Sequence, residues 1–81
     1  MDIKETGLLL AKMSLVDNRT CSQETILAWQ EILQDTEYED ALTALLTHWR
    51  TSPDYIRPYH IVEGAKVAKA ERRKQVYGSI Q

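Results

Sequence analysis

The spacing of apolar residues along the chain predicts four helices. Apolar side chains recur at intervals of three and four over residues 3–15, 22–34 and 37–51, which is the period of a helix that buries one side. Pro53 then ends the third helix, and Pro58 suits the first turn of a fourth, where its missing N–H costs nothing. The sequence therefore predicts an all-α fold.

The same periodicity predicts the core. The residues expected to form it are Leu10, Ile26, Trp29, Leu33, Leu42, Leu45 and Trp49. In the first helix, Ile3 and Gly7 are expected on the buried face, with Leu8 and Leu15 beside it. Because glycine costs about 1 kcal/mol against alanine inside a helix, we expect Gly7 to mark a close helix crossing.

Polar residues before the second and third helices have the spacing of capping boxes. Thr20 stands three residues before Gln23, and Thr36 stands three residues before Glu39. In such a pair the hydroxyl accepts from a free backbone N–H, and the longer side chain reaches back to the cap. Ser22 is an alternative cap for the second helix.

The charged residues divide the chain into two parts. Residues 1–63 carry five basic and eleven acidic side chains, whereas residues 64–81 carry five basic side chains and one acidic. We therefore predict a compact three-helix domain over residues 1–63, followed by a basic C-terminal helix or arm over residues 64–81. The basic residues of the arm are Lys66, Lys69, Arg72, Arg73 and Lys74.

The basic part has two interpretations. It binds a partner that the acidic domain does not bind, or it is a solvent-exposed, lysine-rich helix with no partner. Its apolar residues are few and small, so deletion of residues 66–81 is predicted to leave the domain folded.

Residues with catalytic chemistry are few, and the sequence predicts neither an enzyme nor a bound cofactor or metal. His48 and His60 have no cysteine or carboxylate at a metal-ligand spacing around them. Cys21 has no evident histidine partner for a nucleophile, and the three glycines are scattered rather than clustered in a phosphate-binding loop.

Composition favours a cytoplasmic protein. A single cysteine excludes an internal disulfide, and the first residues are charged rather than arranged as a signal peptide. No apolar run approaches the roughly 20 residues of a membrane span, so a membrane partner is not expected.

Residues 22–74 contain a series of short motifs: Ile26 to Trp29, Leu33, Asp35, Tyr38 to Ala41, Ala44, His48-Trp49, Ile56 to Pro58, His60-Ile61 and the run Ala70 to Arg73. In these residues the sequence resembles small phage and prophage proteins related to loaders and inhibitors of the replicative helicase. The resemblance implies a helical scaffold and a mobile C-terminal segment that engages a hexameric, DnaB-type helicase in the bacterial cytoplasm.

On this resemblance, residues 49–58 form a structural joint between scaffold and arm. Trp49, Tyr55 and Ile56 are expected to hold the joint to the domain, and Pro53 and Pro58 to set the direction in which the arm leaves.

Three functions follow as hypotheses. The first is a non-catalytic accessory protein that binds the replicative helicase and loads or inhibits it. The second is a small nucleic-acid-binding module that uses the basic residues on phosphates. The third is a structural or oligomerising helical protein, for which the apolar stripes alone suffice.

Overall fold

Four α-helices make up the protein. The computed structural model describes the backbone of residues 1–80 and the side chains of residues 1–74. The helices are α1 (Ile3–Asp17), α2 (Gln23–Ile32), α3 (Tyr38–Thr51) and α4 (Pro58–Ile80). Residues 1–80 contain no strand, so the all-α prediction is confirmed. The predicted ends of the first three helices and the predicted start of the fourth lie within two residues of those observed.

A capping box starts α1. The Asp2 carboxylate accepts from the backbone N–H of Glu5 at 2.7 Å, and the Glu5 carboxylate accepts from the backbone N–H of Asp2 at 3.1 Å. The helix ends at Asn18, whose backbone is left-handed with φ 62°, a conformation that asparagine tolerates better than most residues.

The capping boxes predicted for α2 and α3 are wrong. Ser22, the alternative, caps α2 and accepts from the backbone N–H of Thr25 at 3.2 Å, so Thr20 lies outside the cap. Glu37 occupies the N-cap of α3, and its side chain accepts no hydrogen bond from the described first turn. The acidic residues Glu39 and Asp40 still favour the helix start through the dipole.

The core combines side chains from all four helices and the joint. Its buried apolar residues are Leu9, Leu10, Met13, Trp29, Leu33, Ala41, Ala44, Leu45, Ile56, Ile61 and Ala65. Four of the seven predicted core residues are among them. The other three, Ile26, Leu42 and Trp49, are partly buried and pack against this cluster.

The predicted buried face of α1 needs correction. Ile3, Leu8 and Leu15 are exposed, and Thr6 is fully buried together with Leu9, Leu10 and Met13. Thr6 can occupy this position because its hydroxyl donates to the carbonyl of Asp2 at 2.8 Å within the same helix, which satisfies its polar atom.

The most extensive packing joins α3 and α4. The two helices approach closely at Gly64, where an added Cβ would stand 2.7 Å from the Cβ of Ala44. At Gly7 an added Cβ would make only an ordinary contact, 3.7 Å from Cδ1 of Ile26. The close crossing therefore lies at Gly64 and not at Gly7.

Candidate interaction surfaces around the fourth helix

Arg19 fastens the joint to the rest of the protein. Its guanidinium donates to the carbonyl of Ile56 at 2.7 Å and forms an ion pair with Asp17. It also lies over the ring of Tyr55 at 4.3 Å and over that of Trp29 at 5.6 Å. Only 6% of the Arg19 side chain is exposed. Arg19 lies outside the apolar periodicity of the helices, so the sequence pattern does not predict its role.

The predicted joint residues have different surroundings. Ile56 is buried with 1% exposure, and Trp49 packs on the core while partly exposed. Tyr55 is 53% exposed and contacts the protein through Arg19. Pro58 begins α4 as predicted, and Pro53 lies exposed after the end of α3. Ile56 and Arg19 are thus the main attachments of the joint.

Two histidines form hydrogen bonds to the backbone of the joint. His48 Nε2 lies 2.7 Å from the carbonyl oxygen of Asp54, so Nε2 carries the proton of this hydrogen bond. His60 Nδ1 accepts from the backbone N–H of Arg57 at 2.8 Å, so Nδ1 is unprotonated. The two rings are in contact, with centroids 4.4 Å apart and planes tilted by 39°. These contacts assign both histidines to the joint and the start of α4.

An ion pair with one buried member connects α4 to α3. Arg72 donates to the carboxylate of Asp40 at 3.0 Å, and the Asp40 side chain is only 4% exposed while that of Arg72 is 44% exposed. A carboxylate removed from water needs such a partner. Arg72, predicted to bind a partner, is therefore already engaged by α3.

The predicted domain boundary at residue 64 falls inside α4. The helix continues through it without a break, and Ala65 is buried beyond it. Beyond Ala65 the helix still contacts α3, because Arg72 forms an ion pair with Asp40. An arm that separates from the domain at residue 64 would leave this carboxylate buried without its cation.

Three of the remaining basic residues form a row along one side of α4. Lys66, Lys69 and Arg73 are exposed and stand at positions i, i+3 and i+7, which places them on neighbouring turns of the same helix side. Lys66 pairs with Glu63 at 3.2 Å, both side chains being largely exposed. Lys74 is exposed too, about 100° of helix rotation from Arg73. We call Lys66, Lys69 and Arg73 the basic row.

On another side of α4 lies an open groove between α3 and α4, with a volume of about 560 Å³. Its floor is made of small side chains, Ala44, Gly64 and Ala68, and it runs from the histidine pair to the Arg72–Asp40 ion pair. We call it the α3–α4 groove. The groove could not be predicted from the sequence, because its walls come from two helices whose pairing depends on Gly64.

The described residues contain no group of three or more histidine, cysteine or acidic side chains placed to hold a metal ion. Cys21 is a free, exposed thiol beside the N-cap of α2. None of the helices in residues 1–80 combines the length and apolar character needed to cross a membrane.

Comparison of the chain with protein-family models, with curated proteins and with solved structures finds no match.

Proposed function

We propose that this protein is a non-catalytic accessory protein that binds a replicative helicase of the DnaB type and loads or inhibits it. The observation that supports binding is the basic row, three exposed cations on one side of a helix that is packed on α3. The helicase as partner comes from the sequence resemblance over residues 22–74.

The basic row is suited to binding because the fold does not use it. Lys69 and Arg73 are exposed, and the Lys66–Glu63 pair between exposed side chains contributes little to stability. Arg72, by contrast, stabilises Asp40, and we assign it to positioning α4 rather than to contacting the partner.

Packing of α4 on α3 also lowers the cost of binding. A segment that orders only on contact gives up part of its interaction energy to conformational entropy. Gly64 and Arg72 fix residues 64–72 on α3 before any partner arrives. The row can therefore bind a complementary acidic surface without first folding.

The test is binding to purified DnaB-type helicase, measured by biolayer interferometry. We expect Lys66→Glu/Lys69→Glu/Arg73→Glu to weaken binding at least about tenfold, since three exposed charge contacts contribute roughly 0.5–1 kcal/mol each. The matched control, Lys4→Glu/Lys12→Glu/Arg50→Glu, changes the net charge equally at exposed positions on α1 and α3. It should alter affinity less than about threefold.

Absence of binding by the wild-type protein at micromolar concentration would contradict the helicase as partner. Equal losses in both triple variants would show that net charge, and not the basic row, determines the affinity. With binding established, a strand-unwinding assay separates the two activities, because an inhibitor lowers the rate of unwinding and a loader raises it on protein-coated DNA.

The basic row also supports a second candidate, a nucleic-acid-binding module. Three cations in line along a helix can contact successive phosphates. The acidic composition of residues 1–63 opposes this function, because it repels the same polyanion. A salt titration with duplex DNA distinguishes the candidates. Three phosphate contacts predict a slope of log K against log salt of roughly −2.7, and wild-type binding that the row variant abolishes would favour this function.

A further inference from the structure

The α3–α4 groove has two walls that are each built from residues four positions apart. One wall is Glu39, Thr43 and Thr47 of α3, and the other is Glu63, Val67 and Glu71 of α4. Residues at this spacing form a ridge along a helix, and the space between two ridges accepts the ridge of another helix. The groove therefore has the shape that receives a third helix.

The floor of the groove permits a close approach. Ala44, Gly64 and Ala68 lie between the walls, and none of them has a side chain larger than a methyl group. The distance between packed helices depends on the side chains at the contact, so a floor of this kind lets an incoming helix lie deep. Val67 and Tyr59, which are 63% and 68% exposed, offer apolar surface at its edge.

The rim of the groove is acidic. Glu39, Glu63 and Glu71 are all exposed; Glu63 pairs with Lys66 at the surface, and the charge of the buried Asp40 is balanced by Arg72. Contacts between Asp40 and Arg72 and between His48 and His60 show that α3 and α4 run in opposite directions. Glu39 and Glu71, which adjoin the Asp40–Arg72 pair in sequence, therefore stand at the same end of the groove.

We infer that the α3–α4 groove is a docking site for a basic amphipathic helix of a partner protein. Apolar side chains of that helix, spaced three and four apart, would lie on the small-residue floor and against Val67. Lysine or arginine residues flanking them would pair with Glu39 and Glu71, and with Glu63 in competition with Lys66. This surface adjoins the basic row at the Glu63–Lys66 pair, but the inference does not depend on the proposed function.

A second copy of this chain fits the groove less well than a foreign helix. The basic row lies about 100–160° of helix rotation away from Val67 on the groove wall, although Lys66 of the row still pairs with Glu63 of that wall. A copy bound through its basic row would leave its own groove open for a further copy. Such head-to-tail contacts extend into chains rather than closing into a dimer.

The experiment is fluorescence anisotropy with a labelled synthetic helix of about 15 residues that has leucines on one face and lysines on the others. The control peptide has glutamate at every lysine position. We expect the basic peptide to bind the wild-type protein and the acidic peptide not to bind. Glu39→Gln/Glu63→Gln/Glu71→Gln should weaken binding about tenfold, and Val67→Asn about fivefold.

A second triple variant, Glu24→Gln/Glu31→Gln/Asp35→Asn, removes the same charge from exposed positions outside the groove. It should leave the affinity within about twofold of wild type. Circular dichroism melting checks that all variants fold. Equal weakening by the two triple variants, or no effect of Val67→Asn, would overturn the groove as the docking site.

Sedimentation of the protein alone tests whether a second copy of the chain occupies the groove. Wild-type protein that remains monomeric supports the foreign helix. A mass that grows with concentration, and that the groove triple variant restores to the monomer, would place a second copy in the groove and overturn the assignment.

Discussion

Gly64 sets the distance between α3 and α4. An added Cβ at this position would lie 2.7 Å from the Cβ of Ala44 and 3.3 Å from its Cα. Neither atom can move without shifting the backbone of α3, because alanine has no side-chain rotation that relieves the contact. A single glycine therefore determines how closely the two helices pack and how open the α3–α4 groove is.

We expect Gly64→Ala to destabilise the protein even though alanine is the better helix former. Overpacking of a helix crossing costs about 1–3 kcal/mol, which outweighs the gain of about 1 kcal/mol in helix propensity. Chemical denaturation should show a lower free energy of unfolding. The control is Gly7→Ala, whose added Cβ makes an ordinary contact and should be neutral or stabilising.

The double variant Ala44→Gly/Gly64→Ala removes the opposing methyl group and should recover part of the loss. A Gly64→Ala protein as stable as Gly7→Ala would show that the two helices pack farther apart than described.

At the scale of elements, the Asp40–Arg72 ion pair connects the first turn of α3 to α4, away from the joint. We expect Arg72→Glu to lower the free energy of unfolding by about 2–4 kcal/mol, because it places a second carboxylate beside one that is buried. The half-exposed Arg72 makes the loss smaller than for a fully buried pair.

Arg73→Glu is the matched control for this prediction. Arg73 is exposed on the next position of the helix, so its reversal should change the stability by no more than about 0.5 kcal/mol. Thermal melting of the two variants compares them directly. Identical melting temperatures would mean that Asp40 does not depend on Arg72.

The sequence predicted the helices better than it predicted their contacts. Periodicity and Pro58 located each helix, and Leu10, Trp29, Leu33 and Leu45 are buried as expected. Capping signals were less specific, since Thr20 and Ser22 both fitted the start of α2 and only hydrogen bonding decides between them.

Residues that act between elements could not be found from periodicity. In sequence Arg19 resembles a polar loop residue, whereas in the structure its guanidinium donates to the carbonyl of Ile56. Asp40 looks like a helix-start residue until Arg72, 32 positions later, is placed beside it. Such contacts depend on how helices cross, and Gly64, which sets the crossing, resembles Gly7 in sequence.

For the molecule as a whole, the charge division at residue 64 falls inside the continuous helix α4. Residues 64–72 continue α4 along α3, so the basic row and the α3–α4 groove lie on adjoining sides of one packed helix, which meet at the Lys66–Glu63 pair. A protein of this shape can contact an acidic surface and a basic helix at the same time.

Amide hydrogen exchange of the isolated protein tests the packing of α4 on α3 most directly, and both proposed surfaces depend on that packing. If α4 is packed on α3 without a partner, both helices open together. The protection factors of the amides of residues 61–72 should then lie within about tenfold of those of residues 41–50 in α3. Exchange of residues 64–72 at the rate of an unfolded peptide, with α3 still protected, would contradict the account and restore the arm as a separate segment.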